Sequence, residues 1–130
     1  MTTTELFFNA IREKDFDVLK SFIDDDPKIV NSQDSRGFTP LIFATYFDNF
    51  EAAKLLLSSK AEVNAKDYSG NTALIGVCYK GNTEIASLLI QNGANVEVKN
   101  NTRSTPLMFA STYNNQSIVC LLYTSSSPRD

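Results

Sequence analysis

The chain has 130 residues, a formal charge of −3 and an apolar fraction of 42%, the size and composition of one ordinary soluble domain. The acidic balance argues against a nucleic-acid partner, which calls for a basic face. The sequence contains no histidine, which excludes Ser–His–Asp and Cys–His catalysis, HExxH zinc sites and histidine acid–base chemistry.

The opening MTTTELFFNAIREKD has neither a basic n-region nor a long apolar core, so a secretory signal is not expected. No run approaches the roughly 18 apolar residues of a membrane span. The two cysteines, Cys78 and Cys120, are too few for a disulfide framework, and a cytoplasmic location is expected.

The first elements are two short helices, Glu5 to Glu13 and Phe16 to Asp24. Val18, Leu19, Phe22 and Ile23 fall on one face of the second. Glu5, Arg12 and Glu13 point outward from the first. The run Asp24-Asp25-Asp26 before Pro27 reads as a solvated helix end rather than a metal site, because calcium loops space their ligands and usually include a glycine.

From Asp34 the chain repeats itself. Thr39, Thr72 and Thr105 are 33 residues apart, as are Leu41, Leu74 and Leu107. A fixed period of this length marks a solenoid of stacked units. Units cover residues 34–66, 67–99 and 100–122, and residues 1–33 form a degenerate first unit. That first unit is offset by 34, so one extra residue is expected within Asp24–Lys28.

Each unit predicts a turn, a short helix, a tight loop and a second helix. The threonines cap the first helices, with Pro40 and Pro106 at the first helical position. Asp48, Gly81 and Asn114 close those helices with left-handed backbone. Gly37 and Gly70 sit in turns that favour positive φ; Arg103 replaces glycine in the last, which predicts a turn that is strained or differently built. The second helices carry apolar ridges through Leu55 to Leu57, Leu88 to Ile90, and Leu121 and Leu122. Helices this short are marginal alone, so each ridge must bury against a neighbour.

These residues resemble the ankyrin repeat family. The resemblance is carried by Asp34, Gly37, Thr39-Pro40-Leu41, Ala44, Glu51, Leu55-Leu56 and Ala61-Glu62-Val63-Asn64, and recurs through Asp67, Gly70, Thr72, Leu74, Gly81, Glu84, Leu88-Leu89 and Gly93-Ala94-Asn95-Val96. It implies an all-α solenoid of helix-turn-helix units joined by β-turn or hairpin loops. One departure is the family's TPLH histidine, replaced by Ile42, Ile75 and Met108; more apolar packing and less polar stitching are expected there.

After Leu122 the pattern fails. The string Cys120 to Asp130 resembles translated sequencing-adapter read-through, with one residue different. The expectation is that residues 123–130 are a tail foreign to the repeat, suspect from about 120, and that the natural protein continues beyond about Val119; a genuine short disordered tail, which the composition also fits, is the alternative.

The resemblance implies a non-enzymatic protein-binding module without cofactor, metal or catalytic residues, acting as a monomer through hairpin tips and the concave face of the first helices. By position the partner-binding residues are Arg36, Phe38, Tyr46, Phe47, Tyr68, Asn71, Tyr79, Lys80, Asn101, Thr112 and Tyr113. Tyrosine and arginine are enriched at interface hot spots. Tyr46, Tyr79 and Tyr113 are expected to line one strip bordered by Arg36, Lys66, Lys80 and Lys99. Two other classes stay open: a small carboxylate-based enzyme or ligand-binding protein, and a structural fragment of a longer multidomain ankyrin protein. Glu51 and Glu84 lie a full repeat apart and are not expected to form a catalytic pair. Cys78 is read as a buried filler.

Overall fold

The computed structural model describes residues 2–126. Ser127 to Asp130, part of the expected tail, lie outside the described residues. Eight α-helices stand in pairs among the described residues: α1 (Thr3–Glu13) with α2 (Phe16–Asp25), α3 (Pro40–Tyr46) with α4 (Phe50–Ser58), α5 (Ala73–Lys80) with α6 (Thr83–Gln91), and α7 (Pro106–Thr112) with α8 (Gln116–Ser126). The first helices stack in one layer, α1 on α3 on α5 on α7, and the second helices in another, α2 on α4 on α6 on α8. This is the all-α solenoid the period predicts.

Local chemistry sets each unit. Thr39, Thr72 and Thr105 accept the backbone N–H three residues on, from Ile42, Ile75 and Met108. Thr2 does the same for α1. Gly81 lies in the left-handed region, and so do Lys14, Asp48 and Asn114, with φ of 60°, 52° and 58°. Between units, Asp34, Asp67 and Asn100 each accept two backbone N–H bonds within their own turn. Gly37 has φ of 80°, and a Cβ there would come within 2.8 Å of the Tyr68 backbone nitrogen, so only glycine fits. Arg103 adopts φ of 63° at the equivalent place. It is exposed, so its side chain meets no such obstacle, and the expected strain is confined to the backbone angle.

The core runs continuously through the stack. Leu56, Leu89 and Leu122 are buried on equivalent ridges, as are Leu41 and Leu74. Ile42 and Ile75, in place of the family's histidine, are buried, whereas Met108 is 52% exposed. Leu107 is likewise far more open than Leu41 and Leu74, because no unit among the described residues follows it. The mirror effect corrects the expectation for α2. Leu19 and Ile23 are buried but Val18 is 38% exposed; Ala52, Ile85 and Ile118 at its register are covered by the preceding unit, and Val18 has none among the described residues. The extra residue of the first unit falls where Pro27–Asn31 forms a short 3-10 helix. The last helix runs on through Tyr123 and Thr124 to Ser126, past the boundary expected at Leu122.

Polar stitching between units did not vanish with the histidine; asparagine carries it. Asn49 and Asn115 donate side-chain N–H bonds to the carbonyls of Ile11 (2.9 Å) and Cys78 (2.6 Å) in the preceding unit. On the opposite edge, Asn31 accepts from Glu62 N (2.8 Å) and Asn64 from Asn95 N (2.7 Å). Neighbouring turns join by Tyr68 N to Arg36 O (3.3 Å) and Asn101 N to Ser69 O (3.0 Å).

Candidate functional site

The first helices place one side chain each on the open face at nearly the same level. Tyr46 ends α3, Tyr79 sits near the end of α5, and Tyr113 caps α7. Tyr113 is one residue out of the strict period, yet its ring meets Tyr79 edge-on at 4.7 Å between centroids. These three, with Asn71, Ile75, Gly76 and Phe109, enclose a hollow of about 200 Å³.

The three tyrosines differ in burial. Tyr79 and Tyr113 are about half exposed, whereas Tyr46 is partly buried, its ring 5.4 Å from Phe38. Burial, and then the nearby Asp67 carboxylate, raise the Tyr46 hydroxyl above the usual phenol range, so it is a neutral donor at physiological pH. Arg36 lies over the Phe38 ring, with its guanidinium 4.4 Å from the ring centre, and pairs with Asp34 at 3.0 Å. Lys80 reaches Asp48 at 3.6 Å.

The structure therefore brings together Tyr46, Asn71, Tyr79 and Tyr113, with Phe38 against Tyr46 and Arg36 over Phe38, while Lys80 is held by Asp48. Other expected residues lie apart. Phe47 packs on Phe43 at 4.8 Å, and Phe43 stacks on Phe8 at 5.1 Å, so Phe47 belongs to a separate aromatic row toward the first unit. That row borders a wider groove of about 620 Å³ with Arg12 and Arg36 on its sides. Tyr68 is exposed and lies over Gly37. Asn101 is exposed but uses its amide on the Tyr68 carbonyl at 2.9 Å, which is a structural bond. Thr112, by contrast, adjoins the hollow: it lines a small pocket with Ser104, Met108, Phe109 and Tyr113, of which Phe109 and Tyr113 are shared with the hollow.

Charge is also distributed unevenly. Arg36, Lys66, Lys99 and Arg103 are exposed along the turn edge, while Asp67 beside them is buried and already accepts two backbone bonds. Glu51 and Glu84 are exposed in the first turns of α4 and α6, away from this edge. No cluster of three or more His, Cys, Asp or Glu able to hold a metal occurs among the described residues. Cys78 is buried and its thiol is pushed up to about 12 by desolvation, the state of an inert core thiol. No helix among the described residues is long and apolar enough to cross a membrane.

Sequence reasoning missed Gly76, Phe43 and Phe109. A signal was present: Phe43, Gly76 and Phe109 occupy one register at the 33-residue period, and the middle one lacks a side chain.

A family model described as ankyrin repeats (3 copies) matches residues 2–67 and again residues 66–129. No curated protein matches the chain at a significant level.

Proposed function

Because those two matches span nearly all of its length, the chain belongs to the ankyrin repeat family, and we propose that it binds a protein partner through the concave face formed by α3, α5 and α7 and the adjoining turns. The family consists in general of protein-interaction modules and is typically non-enzymatic. The observation that carries the reading here is the convergence of Tyr46, Tyr79 and Tyr113, from three successive units, on one open hollow. Aromatic rings with hydroxyl handles give contact area and hydrogen bonding at low entropic cost. Nothing in the stacking requires Tyr79 and Tyr113 to be so exposed. With a net charge of −3, a polypeptide suits the face better than a nucleic acid.

A photo-crosslinking residue placed at Tyr79, in cells of the source organism, tests this. Protein adducts should form from position 79 and not from Lys54, which is exposed on α4 in the opposite layer. Adducts from Lys54 with none from position 79 would place the binding surface elsewhere.

A further inference from the structure

Gly76 lies within α5, where glycine is unfavourable relative to alanine. Its backbone is helical and needs no positive φ. A Cβ built there would meet Thr45 Oγ1 at 3.4 Å and Tyr46 Cζ at 3.9 Å, which is ordinary contact. Neither conformation nor packing therefore calls for glycine.

The period shows what is missing. The same register holds Phe43 in the unit before and Phe109 in the unit after, and both rings are partly buried against the core. A ring carried at position 76 would start beside Thr45 and Tyr46, the groups nearest its Cβ, at the hollow between Tyr46, Tyr79, Phe109 and Tyr113. Its walls are aromatic, its floor is Ile75 and Gly76, and Asn71 stands at its edge. Arg36 and Lys80 are exposed but already paired with Asp34 and Asp48, so the cationic character of the turn edge rests on the exposed Lys66, Lys99 and Arg103.

Resting on the concave-face reading, we propose that the Gly76 hollow is an anchor pocket for one aromatic side chain of an extended, acidic peptide segment of the partner. The aromatic ring replaces the phenyl group that α5 lacks, and flanking carboxylates meet the basic turn edge. Aromatic rings favour tilted and edge-on packing at such distances, and anchors in central, desolvated pockets dominate interface energetics.

The probe is a fluorescein-labelled peptide Glu-Glu-Phe-Glu-Glu, measured by fluorescence anisotropy beside versions with Ala in place of Phe and with Lys in place of Glu. The Phe–Glu peptide should bind at least about tenfold more tightly than either. Gly76→Phe should abolish that preference, and Gly76→Ala should weaken it while raising Tm, which keeps the test decisive if the larger substitution fails to fold. If the Phe–Glu peptide shows no preference, or binds Gly76→Phe and Gly76→Ala as it binds the wild type, the anchor pocket is refuted. Loss of binding in Tyr79→Ala with full binding in both Gly76 variants would refute the pocket and leave the concave face standing. Binding unchanged in all three variants would remove both.

Discussion

Asn49 holds two units together with one side chain, and its two roles can be separated. The residue is 6% exposed. Its oxygen accepts from Ala52 N at 3.1 Å, capping α4, and its amide donates to Ile11 O at 2.9 Å across the joint to α1. Asn49→Ala removes both. Loss of the cap costs about 1 kcal/mol. Loss of the inter-unit bond costs about 1 kcal/mol more, at the low end because the Ile11 carbonyl keeps a bond from Lys14 N. Asn49→Ser keeps a capping oxygen but is too short to reach Ile11, so it should cost about 1 kcal/mol. In urea unfolding followed by far-UV circular dichroism, the order should be wild type, then Ser, then Ala, separated by about equal steps. A Ser variant as stable as wild type would show that the bridge to Ile11 contributes nothing; a Ser variant equal to Ala would remove the cap. The chain itself supports the division: Asp15 caps α2 at the same register, using a side chain that only accepts, where no preceding unit among the described residues offers a carbonyl.

Leu89→Ala should cost about 2–5 kcal/mol, more than Leu122→Ala, because Leu89 is enclosed between α4 and α8 whereas Leu122, among the described residues, has a neighbouring unit on one side only; the reverse order in urea would contradict the stacking. Cys78 gives a pH signature. Its folded pKa is raised, so the folded state holds a proton that the unfolded state releases, and stability from this group is present below about pH 9 and lost as pH rises toward about 12. Wild type should therefore lose stability relative to Cys78→Ala across that window, by up to about 1.4 kcal/mol per pH unit; parallel curves would count against it. Tyr79→Ala should weaken a crosslinked partner by about 2 kcal/mol or more, while lost edge contact with Tyr113 costs the fold only about 0.5–1.5 kcal/mol, as read by calorimetry beside a binding titration.

The architecture was legible because it is written in local chemistry that repeats. Thr39, Thr72 and Thr105 cap helices wherever they occur, and Gly37 and Gly70 are forced by φ and by the next turn. Burial at the ends was less legible. Val18, Leu107 and Met108 look like core residues in any window, and only the number of neighbours decides their exposure. The aromatic strip was half legible: Tyr46, Tyr79 and Tyr113 do converge, but Phe47, the C-cap of α3, follows Phe43 by one turn and packs on it in a different row. The asparagine bridges escaped notice because their partners are backbone carbonyls 37 or 38 residues away, which carry no side-chain signature.

The hollow at Gly76 takes walls from α3, α5 and α7 at once. In a stack where each unit touches only its neighbours, terminal units open most easily. A ring seated there would tie three units together, as a rivet does through three plates. At a free concentration one hundred times its Kd, such a ligand adds about 2.7 kcal/mol to the folded state, and that gain reaches amides it never touches. Backbone hydrogen exchange in α8, which lies in the other layer, should slow whenever α7 is pinned, so occupancy of the concave face is readable from the opposite side of the molecule.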